Sequence, residues 1–161
     1  MRLSSIVCLA VMLVVLSPAT TLADKAIHAR LRGYNEVPAV STSGRGMFRA
    51  KINNDATEIS YELTYGPLEG LAMASHIHFG QRGVAAGVSA FLCGGGGKPA
   101  CPPAGGTVTG VIVAADVVGP AAQGIAAGEL DELIEAILRG VTYVNVHTDK
   151  HPSGEIRGQI Q

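Results

Sequence analysis

From Glu58 to Tyr65 the chain alternates between two kinds of side chain. Ile59, Tyr61, Leu63 and Tyr65 take every second place, and Glu58, Ser60, Glu62 and Thr64 take the places between. Successive side chains of a β-strand point to opposite faces, so this pattern makes a strand with one apolar face and one wet face. A helix would scatter the same apolar residues around its circumference. The strand therefore needs an apolar layer to cover it, and the rest of the chain must supply that layer.

It does so mostly with further strands. Ala26–Leu31 alternates weakly. Gly46–Ile52 sets Met47, Arg49 and Lys51 against Phe48, Ala50 and Ile52, and Asn53-Asn54-Asp55 turns the chain into the strand that follows. Leu71–Phe79 and Thr107–Val113 are strand-like, while Gly80–Gly87 and Gly94–Gly106 are loops. Val141–Thr148 and Gly154–Gln161 form a closing β-hairpin around Asp149–Ser153. One segment has a different period. Leu130, Leu133, Ile134, Ile137 and Leu138 recur at helical spacing, with acids early, Arg139 late and Gly140 as a stop. This predicts a single short helix at about 129–139. Many short strands and one helix predict a mostly β fold, a sandwich or barrel.

The first 23 residues have a different character. Arg2 is followed by an unbroken apolar run from Ile6 to Leu16, then Ser17-Pro18 and a small-residue end at Thr21-Leu22-Ala23. This is the layout of a cleavable secretory signal peptide at 1–23, and the run is shorter than the roughly 20 apolar residues a membrane span needs. Residues 24–161 are expected to form one domain, secreted or periplasmic, with no membrane span after cleavage. The chain has 12 Lys and Arg against 13 Asp and Glu; without Arg2 the basic count is 11. That balance, the absence of Trp and the low aromatic content speak against nucleic-acid binding. A protein partner is left open, and the sequence does not identify one.

Two cysteines, Cys93 and Cys101, remain once Cys8 leaves with the leader. An even count in an oxidising compartment favours a disulfide. It would close a loop containing Gly94-Gly95-Gly96-Gly97, which by the loop-entropy model contributes about 2–3 kcal/mol. The alternative, a redox or metal-binding thiol pair, lacks both CxxC spacing and a histidine nearby in sequence.

The histidines carry the main chemical signal. His76 and His78 lie two apart in a strand, so both project from one face, roughly 7 Å apart at their Cα atoms. The alternation that ends in His147 places Tyr143, Asn145 and His147 on one face of another strand. If the two strands are neighbours, His76, His78 and His147 converge on one metal ion, with His151 as a candidate fourth ligand. Imidazoles that merely hydrogen-bond within a half-buried sheet are the alternative. Glu36, Glu155 and Arg157 are read as structural polar residues, and a carboxylate–guanidinium pair between strands would fix register. The sequence has no Gly-x-Ser-x-Gly elbow, phosphate loop or acid/base carboxylate pair, so no catalytic residue is assigned.

Taken in order, Leu31-Arg32-Gly33-Tyr34-Asn35-Glu36-Val37-Pro38, Ala74-Ser75-His76-Ile77-His78, Tyr143-Val144-Asn145-Val146-His147-Thr148 and Pro152-Ser153-Gly154-Glu155-Ile156-Arg157-Gly158-Gln159 resemble the CHRD (chordin) domain family over about 26–161. Chordin is an extracellular antagonist of growth factors, so the resemblance implies an exported, non-catalytic binding module. The family is in turn distantly similar to copper/zinc superoxide dismutase, which implies an Ig-like Greek-key arrangement. His76-Ile77-His78-Phe79-Gly80 is similar to that enzyme's first copper-ligand strand and Val144–His147 to its last, and Arg157 stands where its anion-guiding arginine would. No histidine lies between His78 and His147, so the dismutase's bridging histidine and zinc set are missing. The resemblance then implies at most a mononuclear copper or zinc site. Three expectations follow. They are a binding module with such a site, a copper/zinc metalloprotein of dismutase-like or copper-handling type, and a purely structural extracellular module.

Overall fold

The computed structural model describes residues 24–161. The leader expected at 1–23 lies outside the described residues. Eight strands make one antiparallel sheet: β1 (Lys25–Arg32), β2 (Arg45–Ile52), β3 (Ile59–Tyr65), β4 (Ala72–Phe79), β5 (Val88–Cys93), β6 (Gly106–Ile112), β7 (Thr142–Thr148) and β8 (Ile156–Gln159). Their spatial order is β5-β4-β7-β8-β1-β2-β3-β6. The chain runs β1-β2-β3 as neighbours, crosses to β4-β5, crosses back to β6, and returns through helix α1 (Leu130–Leu138) to the β7-β8 hairpin. The sheet curls so that its ends approach and the barrel is nearly closed. Tyr61 on β3 donates its hydroxyl to the Leu92 carbonyl on β5 at 2.7 Å, and Ala90 on β5 makes a bridge to Val117, beyond β6.

The expected alternation in β3 is present: Ile59, Tyr61, Leu63 and Tyr65 are buried, and Ser60, Glu62 and Thr64 are exposed. Its inward residues meet Phe48 and Ile52 of β2 and Leu31 of β1 in one apolar core. Burying a Leu, Ile or Phe side chain contributes roughly 1.5–3 kcal/mol, and the core cluster holds 29 buried residues. α1 lies within the predicted 129–139 span, adds Leu130, Leu133, Ile134 and Ile137 to that core, and carries Asp131 and Glu132 in its first turn, where the helix dipole favours negative charge.

β5 was not anticipated. Val88-Ser89-Ala90-Phe91-Leu92-Cys93 sits between two glycine-rich loops and is buried on both faces over much of its length, so it shows no two-residue alternation. Register shifts where it pairs with β4 blur the pattern further. Cys93, at its end, is joined to Cys101 with the Cα atoms 5.0 Å apart. Gly94 follows at φ +76°, and a Cβ there would fall 2.0 Å from the Met73 carbonyl oxygen. Only glycine lets the disulfide loop pass so close to β4.

Candidate metal centre

β4 and β7 are antiparallel neighbours, with His76 opposite Asn145, His78 opposite Tyr143 and Ala74 opposite His147. Side-chain parity sends Ser75, Ile77, Val144 and Val146 inward, and His76, His78, Tyr143, Asn145 and His147 to the other face. The three imidazoles come together there. One ligand-type nitrogen from each lies within 4.8 Å of the others, and His76 Nδ1 is 3.0 Å from His147 Nε2. Metal–nitrogen bonds of 2.0–2.1 Å separate two tetrahedral ligand atoms by about 3.3 Å. The His76–His147 distance is close to that value, whereas the widest separation is larger, so an ion would draw at least one ring inward.

Backbone carbonyls decide which nitrogens are free. His78 Nδ1 is 2.9 Å from the Ala86 oxygen, and His147 Nδ1 is 2.9 Å from the Pro152 oxygen. A carbonyl only accepts, so both Nδ1 atoms carry the proton and donate. In the neutral rings each Nε2 then keeps its lone pair, and both lone pairs belong to the cluster. A histidine whose distal N–H is tied to a backbone oxygen is the usual arrangement behind a metal ligand. His76 Nδ1–H donates to His147 Nε2 in the absence of an ion.

All three rings are held in the neutral form. Desolvation pulls His76 down to about 3, helped by the neighbouring His147 and His78. His78 is pulled down to about 4, again mainly by desolvation. His147 is lowered by the same cause. Aromatic neighbours provide the dry surroundings. Phe91 meets the His76 ring edge-on at 4.5 Å, and Tyr143 lies flat on His78 with centroids 4.7 Å apart and planes 1° from parallel. Arg157 covers the far side of Tyr143, its guanidinium carbon 3.3 Å from the ring centroid.

Asn145 connects the cluster to a buried acid. Its Oδ1 is 3.0 Å from His78 Nε2, and its amide nitrogen lies toward the Glu36 carboxyl, both beside Gly154. Glu36 is 7% exposed, its Oε1 has no hydrogen-bond partner, and desolvation raises its pKa to about 7 against the opposing pull of Arg157. With Oδ1 toward His78, the ring is an imidazolium and Glu36 a carboxylate. With the amide turned over, its NH2 meets the Nε2 lone pair, and a protonated Glu36 donates to Oδ1. Both arrangements hold the same number of protons, and burial favours the one without charges. Gly154 packs against this link: a Cβ there would fall 2.4 Å from Glu36 Oε1 and 2.9 Å from Asn145 Nδ2.

One expectation needs correction. His151 does not join the other histidines. Its Nε2 faces Glu69 Oε2 at 3.4 Å, because the turn after β7 carries it away from the face on which His147 lies. Glu155 and Arg157, read as structural polar residues, have separate sets of partners. Arg157 spends its guanidinium on the carbonyls of Gln81 and Val84, at 3.1 and 2.8 Å, and on the Tyr143 ring. Glu155 is fully buried and accepts four hydrogen bonds. Its Oε1 takes Thr42 Oγ1 at 2.8 Å and Glu69 N at 2.7 Å, and its Oε2 takes Thr148 Oγ1 at 2.9 Å and Gly70 N at 3.3 Å. The Ala86 and Pro152 carbonyls and Phe91 beside the site carry no sequence signal, since backbone oxygens have no residue signature and Phe91 lies in a strand without two-residue alternation.

Fold and site together define a small antiparallel β module with a neutral histidine cluster on its outer face and a disulfide at its seam. The chain belongs to the CHRD domain family, whose model matches residues 27–160. No curated protein and no solved structure matches the chain.

Proposed function

We propose that this is an exported, non-catalytic binding module that holds one transition-metal ion through His76, His78 and His147. The observation that carries the reading is the pair of carbonyl clamps: Ala86 O and Pro152 O fix the protons on His78 Nδ1 and His147 Nδ1 and turn both Nε2 atoms into the cluster, where an ion would replace the Asn145 and His76 contacts they now make. Desolvation keeps those rings deprotonated at neutral pH, which metal binding requires. A three-imidazole set suits copper or zinc. Export rests on the leader-like sequence at 1–23, and the disulfide and the family are compatible with it.

The competing reading is a copper/zinc metalloprotein that turns over a substrate, as the distant likeness to superoxide dismutase implies. His76 and His78 are 9% and 7% exposed, which favours holding an ion over exchanging substrates at it. Elemental analysis of the mature protein, isolated without an affinity histidine tag, separates these readings. The proposal expects about one copper or zinc per chain, lost in His78→Ala and in His147→Ala. A metal-free protein that takes up neither ion in a calorimetric titration sinks it. Superoxide turnover by the copper-loaded protein would move the assignment to the enzymatic reading.

A further inference from the structure

The charge balance of the whole chain conceals a sharp separation. β1 and β2 pair with Arg32 opposite Arg45, Arg30 opposite Met47, His28 opposite Arg49 and Ala26 opposite Lys51. Inward positions of both strands are filled by Ile27, Ala29, Leu31, Phe48, Ala50 and Ile52. Their outward positions therefore collect Arg30, Arg32, Arg45, Arg49 and Lys51, all exposed. Arg82 joins them across a hollow that Arg30 and Arg32 also line. Among the described residues, only Arg49 of these six has a carboxylate partner, Glu62 at 3.8 Å on an exposed surface. Four of the acids lie on or beside α1, while Glu62 borders the ribbon on β3, Asp24 precedes β1, and Asp55 and Glu58 lie in the β2–β3 turn.

We infer that the outer face of β1 and β2 binds a linear acidic polysaccharide. The shape of the patch limits the partner. It is two strands wide and about 25 Å long, from eight residues at roughly 3.3 Å each. A ribbon of that kind matches an extended chain of regularly spaced anions. A flat anionic bilayer would also press on the flanking strand β3, which presents Glu62 on the same outer surface. Nucleic acid would call for aromatic platforms, and none of the ribbon's residues is aromatic. The floor between the charges is apolar: Met47 lines the two shallow hollows that hold Arg30 and Arg49 in one case and Arg32 and Arg45 in the other. That suits the C–H faces of a sugar ring, while the guanidinium groups take its carboxylates or sulfates in paired hydrogen bonds.

The test uses the metal-free mature protein in the presence of chelator, with dextran sulfate and polygalacturonate as probes. Neutral dextran and phosphatidylglycerol vesicles serve as comparators. The proposal expects binding to both acidic polymers that weakens steadily with added salt. It expects affinity to fall by roughly tenfold or more in Arg30→Gln/Arg49→Gln/Lys51→Gln, the order expected when several exposed ion pairs are removed together. Arg139→Gln, at the end of α1 and outside the ribbon, should bind within about twofold of wild type, and the triple variant should keep the wild-type melting temperature because all three side chains are exposed. Equal binding to neutral dextran, indifference to the triple substitution, or capture by the vesicles but not by the polymers would each overturn it.

Discussion

The barrel buries two carboxylates and treats them in opposite ways. Glu155 is fully enclosed and meets four donors, two from threonines and two from the backbone, drawn from the Thr42 loop, the Glu69-Gly70 turn and the end of β7. Glu36 is almost as deep, yet one of its oxygens meets nothing and its pKa rises to about 7. Donor count explains the difference. A carboxyl group given enough N–H and O–H donors ties together the elements that supply them. One given too few holds a proton instead. The first carboxyl is a fastened joint. The second, which adjoins the histidines through Asn145, has been left with an adjustable proton.

The largest effect should come from the joint. Glu155→Ala strands four donors from two loops and the end of β7 and is expected to cost on the order of 3–5 kcal/mol, as for breaking a buried hydrogen-bond network. Urea denaturation measures it, and a loss below about 1 kcal/mol would erase the distinction between the two acids. Next comes Arg157→Lys, which keeps the charge but gives up the planar stack on Tyr143 and one of two carbonyl contacts. About 1–2 kcal/mol is expected, and a variant as stable as wild type would mean that the stack does not brace His78.

The third prediction concerns pH in metal-free protein. His76 and His78 titrate near 3 and 4 in the fold, below their ordinary 6.5. The unfolded chain therefore binds more protons in that interval, and stability is lost as pH falls from about 6.5. Glu36 has the opposite sign. Its folded pKa, about 7, lies above its ordinary 4.5, so its contribution is complete below 4.5 and is lost as pH rises through 7. Melting temperature should climb from pH 3 to about 6.5, because two or more histidines outweigh one glutamate, and then slip slightly. The smallest and sharpest test is Glu36→Gln, expected to change stability by less than about 1 kcal/mol at pH 6 while abolishing the decline above 6.5. If that decline survives in the variant, another group causes it.

Much of this arrangement was readable before any coordinates. The β3 alternation, the helical spacing of Leu130 to Leu138 and the shared parity of His76 with His78 and of Tyr143 with His147 all follow from periodicity, and the strands they define are found as neighbours. What escaped the sequence has physical reasons. A strand buried on both faces, like Val88–Cys93, has no polar side to mark its period. The carbonyls of Ala86 and Pro152 belong to loops whose path depends on the whole fold. Glu155 and Arg157 stand two apart, which by parity alone would give them one shared face. However, Glu155 precedes β8, directly after Gly154 at φ +126°, and the turn delivers each side chain to partners that sequence spacing cannot reveal.

The seam of the barrel has a further consequence. An antiparallel sheet that fails to close leaves two rows of unpaired backbone groups, and such rows recruit strands from other molecules. Here the free edge of β5 is occupied by its own chain through the Ala90–Val117 bridge and the Val118 N–H to Ser89 oxygen bond. On β6 the Val111 carbonyl is covered by the Lys98 ammonium, which is also paired with Asp116. Lys98 belongs to the loop that the Cys93–Cys101 bond closes. The disulfide therefore does more than shorten a floppy loop. It keeps a charged gatekeeper stationed over an exposed strand, so that loss of the bond would be felt first as clumping of one molecule with the next at high concentration rather than as unfolding.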